Sequence, residues 1–120
     1  NKVEDFGVGF YTKYGDGGVD ISPIADLYKS EVWEMARELS IDQRIIDAKP
    51  TDGLWDDGRV DEDQLNGMGY KELEECMKLV EAQDVYDVLE EDEVAKVDKY
   101  NEIRSRNLHK MNPIPMFSKS

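Results

Sequence analysis

The chain has 120 residues, of which 28 are acidic and 15 basic, for a formal net charge of −13. That balance excludes non-specific binding to nucleic acid or to an anionic membrane, both of which need a positive surface. A single cysteine, Cys76, and a single histidine, His109, rule out an internal disulfide, a cysteine metal cluster and a histidine zinc site. No apolar run nears the roughly 20 residues of a membrane span, and no secretory pattern opens the chain, so a cytoplasmic, reducing setting is expected.

Taken in order, the elements are mostly helical. Residues 1–11 suit a first helix, broken by Gly15, Gly17 and Gly18. Ser22-Pro23 looks like an N-cap followed by proline at the first helical position, with Asp26 favourable in the first turn. Ile24, Leu27, Tyr28, Val32, Met35, Ala36 and Leu39 then recur at steps of three and four, which predicts an amphipathic helix. Asp42 can cap a short helix carrying Ile45 and Ile46, ended by Lys49-Pro50. Residues 50–68 hold Gly53, Gly58, Gly67 and six carboxylates without periodicity, and predict a long loop or lid. Leu73, Met77 and Val80 mark a helix from Tyr70 to Ala82, with Cys76 on its inward face. Val94, Val97, Tyr100 and Ile103 mark a last helix from Glu91 to Lys110. Its acidic start, from Glu90 to Glu93, reads as solvated. Pro113 and Pro115 give an extended tail, and no internal repeat or low-complexity tract is present.

The chemistry concentrates in residues 9–23. Two aromatics and Lys13 lead into a glycine-rich bend that carries Asp16 and Asp20, a surface suited to a small, polar, charged ligand. The plain alternatives are an Asp that merely forms a turn and a lysine in a weak exposed ion pair. The acidic stretch from Asp56 to Asp63 is not an EF-hand, because Trp55 falls where an oxygen ligand is required. Residues 15–18 are not a dinucleotide fingerprint either, lacking its glycine spacing and a following helix start.

Several blocks together resemble the bacterial NAD synthetases, which convert deamido-NAD to NAD. They are Asn1-Lys2-Val3-Glu4, the string from Thr12 to Asp20, Lys29, and Lys49-Pro50-Thr51-Asp52-Gly53-Leu54-Trp55. They continue at Gly69-Tyr70-Lys71-Glu72-Leu73-Glu74 and end at His109-Lys110 with Pro113 and Pro115. The family's Ser-Gly-Gly-x-Asp-Ser phosphate loop does not occur, so the chain resembles the C-terminal half of such an enzyme. The resemblance implies a mainly α piece of an α/β adenine-nucleotide alpha-hydrolase-like (ATP pyrophosphatase) domain whose parallel sheet lies elsewhere. It divides the chain into 1–49, the substrate-binding turn and helices; 50–68, a mobile loop; and 69–120, the C-terminal helices and tail.

By the same resemblance, a ligase adenylates the nicotinate carboxylate with ATP and Mg²⁺, and ammonia then displaces AMP. Glu4 stands at the Mg²⁺-ligand position. Nine positions separate it from Lys13, one more than expected, which leaves Asp5 as the alternative ligand. Lys13 and Asp20 would contact deamido-NAD, and Asp16 would position or deprotonate ammonium. Lys29 and Thr51 would reach the ATP phosphates, with Leu54 and Trp55 as the apolar part of the lid. His109 and Lys110 would touch the dinucleotide, with Met111 where the family carries arginine. A homodimer without nucleic-acid or membrane partners is implied, and the isolated piece is expected to be inactive. Two other readings stay open: another ATP pyrophosphatase-type amidotransferase, and a non-catalytic acidic helical interaction module.

Overall fold

The computed structural model describes residues 1–82 and 89–119. Its elements are a π-helical turn at Val3–Val8, then α1 (Lys29–Glu38), α2 (Gln43–Ile46), α3 (Asp61–Gln64), α4 (Tyr70–Glu81) and α5 (Glu91–Asn107). A 3₁₀ turn, Leu108–Lys110, follows. Among the described residues there is no strand.

The first helix expected over residues 1–11 is this shorter π-turn. Gly9 ends it in the left-handed region at φ 69°, and its N–H reaches back five residues to the Glu4 carbonyl. Such a turn takes in one more residue than an α-turn. Val3 and Val8, five apart, therefore share a face and are both wholly buried. Arg104 of α5 holds the turn's free end by donating to the carbonyls of Phe6 and Gly7.

The core lies where this turn meets α4 and α5. Leu73, Cys76 and Met77 of α4 pack with Val97, Tyr100 and Ile103 of α5 and with Val3 and Val8. Leu65 and Met68, just before α4, close one side. Both helices match their apolar spacing, although α5 stops at Asn107 and tightens into the 3₁₀ turn rather than running to Lys110. Cys76 is buried, and its surroundings push the thiol up to about 11.

The helix expected from Ser22-Pro23 begins later, at Lys29. Residues 22–27 instead form tight turns, with Ala25 N–H to Ser22 O at 3.2 Å and Leu27 N–H to Ile24 O at 3.0 Å. The Leu27 carbonyl accepts from Lys2 N–H at 2.8 Å, a partner outside any helix. The start of α1 is set by two carboxylates. Glu31 accepts the Tyr28 N–H at 2.7 Å, and Glu74 of α4 accepts the Ser30 N–H at 3.0 Å and the Ser30 hydroxyl at 2.8 Å. First-turn N–H groups lack helical partners, so acidic side chains there are stabilising. Asp42 caps α2 as its sequence suggests, accepting Arg44 N–H at 2.9 Å. Within the stretch expected to be an uninterrupted loop, Asp61–Gln64 form the short helix α3.

Candidate functional site

The glycine turn is built by its own backbone. Gly17 N–H donates to Thr12 O at 2.9 Å and Gly18 N–H to Gly15 O at 3.0 Å, while Asp16 accepts the Thr12 N–H at 3.1 Å. A Cβ on Gly17 would stand 2.3 Å from the Lys13 carbonyl oxygen, so the turn requires glycine there. Asp16 thus has the turn-forming role its sequence context allows, and it also lines the neighbouring cavity. Asp20 lies exposed at the end of the turn.

The far end of the chain folds back onto this turn. Lys13 Nζ lies 3.2 Å from His109 Nδ1. Lys110 donates to Gly9 O at 2.9 Å and Tyr11 O at 2.7 Å, and the Tyr11 hydroxyl donates to Lys110 O at 2.9 Å. Partial burial lowers the Lys110 ammonium from its usual range. Its charge therefore ties the two segments together through backbone carbonyls. Phe10, Tyr11, Thr12, Asp16, Asp52, Leu54 and Lys110 surround an open cavity of about 370 Å³.

A second cluster surrounds Tyr70, the first residue of α4. Its hydroxyl donates to Glu4 Oε1 and lies 3.2 Å from Asp61 Oδ2. Glu4 Oε2 accepts from the Asn1 side-chain amide at 2.5 Å. Lys29 stands 5.5 Å from the centre of the Tyr70 ring and 5.7 Å from that of Trp33, and the two rings meet edge to face at 5.9 Å. Burial pushes the carboxyls of Glu4 and Asp61 above the usual carboxylate range, against the opposing pull of the Tyr70 hydroxyl and the Lys29 charge. Burial and the two carboxylates push the Tyr70 phenol upward as well. Asp5 is not in this cluster; its carboxylate lies 3.2 Å from the backbone nitrogen of Asn1.

The loop 51–60 runs between the two clusters. Asp61 N–H donates to Pro50 O at 2.9 Å and closes its base. The Thr51 hydroxyl donates to Arg59 O at 3.3 Å and accepts Gly53 N–H at 3.1 Å. Arg59 stacks on Trp55 at 3.9 Å and grips Asp57, whose carboxyl it holds down at about 2. Leu54 remains exposed.

The structure therefore sorts the sequence candidates into two groups. Asp16 and Lys110 line the cavity, Lys13 and His109 meet each other on the same turn, and Glu4 and Lys29 gather at Tyr70. Thr51 lies on the connecting loop. Sequence reasoning missed Asp61 and Tyr70 as members of a site. Asp61 sits in an acidic run that looks solvated, yet it is only 7% exposed. The sole available signal for Tyr70 was its place in the Gly69-Tyr70-Lys71 block.

Among the described residues, no three His, Cys, Asp or Glu side chains are arranged to hold a metal ion. The pair of carboxylates on Tyr70 nevertheless suits Mg²⁺, which takes one or two carboxylates and fills its other positions with water and substrate phosphates. The Oδ1 atom of Asp61 is buried and has no hydrogen-bond partner among the described residues.

Residues 1–114 match the family model described as NAD synthase. The chain belongs to the NAD synthase family. It is 44% identical over 107 residues to the NH(3)-dependent NAD(+) synthetase of Archaeoglobus fulgidus, covering 89% of this chain and 41% of that protein. To the synthetase of the same name from Methanosarcina acetivorans it is 38% identical over 119 residues, covering 97% of this chain and 45% of that protein. The NMN synthetase of Francisella tularensis superposes with a TM-score of 0.75 at 28% identity, covering 99% of this chain and 44% of that one. The chain thus spans less than half the length of these NAD synthase relatives. No helix among the described residues is long and apolar enough to cross a membrane.

Proposed function

We propose that this chain supplies part of the active site of a longer ligase that amidates deamido-NAD to NAD, using ATP, Mg²⁺ and ammonia through an adenylated intermediate. The observation that carries this reading is the convergence of the glycine turn, the loop 51–60 and the chain's end on one cavity, with Lys29 and Glu4 at a separate charged cluster. Making an amide from a carboxylate needs cations for the departing pyrophosphate, an acceptor for the nitrogen's proton and protection from water. In this division the cavity takes the nicotinate end, with Lys13, Asp20, His109 and Lys110 as its contacts. Asp16, on the cavity wall, receives or orients ammonium. Lys29 acts as a point charge on the phosphates, and Thr51 offers its hydroxyl to them from the loop. Folding of residues 50–64 over the site, with Leu54 and Trp55 inward, would exclude water from the adenylate. Glu4, rather than Asp5, holds the Mg²⁺, which when bound neutralises phosphate charge. The whole enzyme is a homodimer without nucleic-acid or membrane partners, working in the cytoplasm. Family membership weighs against a different amidotransferase and against a non-catalytic module.

The test is to incubate the full-length protein with ATP, Mg²⁺, ammonium and deamido-NAD and to quantify NAD and AMP. Equal yields of both are expected. Lys29→Ala should cut kcat by about 10²-fold or more, and the 120-residue chain alone should give no product. No NAD from a folded full-length protein, with glutamine also failing as donor, would overturn the reading. The Francisella neighbour motivates a second substrate, the corresponding mononucleotide. A higher kcat/KM for it than for deamido-NAD would move the assignment to NMN synthesis.

A further inference from the structure

Helix α1 has no fully buried residue, so burial of its apolar face does not by itself fix where it lies. It leans on α2 and α4, and its first turn is held by a polar clamp. Glu74, one turn after Tyr70 on α4, is a carboxylate only 5% exposed. Both of its oxygens go to one residue of α1: Oε1 accepts the Ser30 N–H at 3.0 Å and Oε2 the Ser30 hydroxyl at 2.8 Å. Such a buried carboxylate is costly unless it is well bonded. The N-terminal end of α1, with its unpaired N–H groups, is also the end that favours negative charge. Lys29 immediately precedes Ser30 in the chain. Beside the clamp, Trp33 meets the Tyr70 ring edge to face, and Lys29 Nζ stands over that ring at 5.5 Å from its centre.

We infer that Glu74 is a positioning residue for the ligase reaction: by taking both Ser30 donors it sets the start of α1 and keeps the Lys29 ammonium over the Tyr70 ring. This rests on the assignment of Lys29 to the phosphates. Lysine is a point charge on a flexible stem, so its reach depends on where its backbone stands. Glu74 fixes that backbone at the adjoining residue. It does so from α4, which is anchored in the core through Leu73, Cys76 and Met77. The clamp therefore lends the rigidity of α4 to a helix that has little of its own. A displacement of about 1 Å at a reacting group can cost on the order of 10²-fold in rate.

The test is steady-state kinetics of the full-length protein with ATP, Mg²⁺, ammonium and deamido-NAD. Glu74→Ala should lower kcat by about 10-fold or more. The KM for deamido-NAD should not change, because none of the residues lining the cavity belongs to α1. In a Lys29→Ala background the same substitution should lower kcat no further. Glu74→Gln can still accept the Ser30 N–H and donate to its hydroxyl, and should recover most of kcat. An equal loss in both backgrounds, or a KM that rises as kcat falls, would show general damage and overturn the inference. Wild-type kcat in Glu74→Ala beside a slow Lys29→Ala would overturn it and leave Lys29 standing. A Lys29→Ala enzyme as fast as the wild type would remove both residues together. Where Glu74→Ala does not fold, Ser30→Ala lacks only the hydroxyl donor and should show a smaller loss confined to kcat; wild-type kcat there would overturn the clamp. A second readout needs no turnover: the Ser30 amide should exchange its hydrogen about 10-fold faster in Glu74→Ala. An unchanged exchange rate would sink the inference.

Discussion

Helices α1 and α4 carry apolar residues at the same helical spacing, yet they meet different surroundings. In α4, Tyr70, Leu73, Cys76 and Met77 are buried against α5 and the N-terminal turn. In α1 no residue is fully buried; Trp33 packs on the edge of the core, while Met35 and nearby Leu39 stay exposed. Ile24, Ile41 and Ile45 are exposed in the same region. The radius of gyration, 16.3 Å, exceeds the ~13.6 Å of a compact chain of this length. A periodic stripe thus marks a helix and one face of it, but says nothing of whether a partner covers that face.

The contrast can be broken by experiment. Leu73→Ala should cost roughly 2–5 kcal/mol in a urea melt, because it opens a cavity in the packed region. Leu39→Ala should fall within about 0.5 kcal/mol of the wild type. Similar losses at both sites would mean that α1 is packed in solution. Gly9→Ala tests the seam between the N-terminal turn and α5. The new Cβ would lie 2.6 Å from Asn107 Cβ at a φ of 69°, and a cost of about 1–3 kcal/mol is expected. An unchanged midpoint would show that the seam gives way freely.

The smallest effect at neutral pH belongs to Cys76. Its folded thiol is raised from 9.0 to about 11 by burial. The folded state therefore keeps its proton where the unfolded state has lost it. The contribution is whole below pH 9 and is lost as pH rises towards 11. Tyr100, raised to about 12, acts in the same direction at still higher pH. Urea melts from pH 8 to 11 should show falling stability, with a shallower fall in Cys76→Ala. Equal slopes would place the alkaline sensitivity elsewhere.

Much of the scaffold was legible. The apolar spacing located α4 and most of α5, Asp42 marked the start of α2, and Cys76 was read as buried. The start of α1 was not legible, because it depends on Glu74, 44 residues away from the Ser30 it caps. The N-terminal turn was read as an ordinary helix, since nothing local announces a five-residue hydrogen bond until Gly9 and Arg104 fix its end. At the candidate site, the glycine turn stood out by composition, and the other candidates came from motif resemblance. Asp61 did not stand out at all, because an aspartate among acidic neighbours looks solvated until its burial is seen.

By itself, then, the sequence determined α4, most of α5, the start of α2, the glycine-dependent turn, and the lone cysteine and net charge that weigh against an internal disulfide and non-specific polyanion binding. These follow from local rules: side-chain period, backbone freedom and net charge. Tertiary structure decided which apolar faces are covered, and it brought Lys13 to His109 and set Glu4 and Asp61 on a single tyrosine hydroxyl. Those outcomes depend on packing between residues far apart in the chain, which no local pattern encodes.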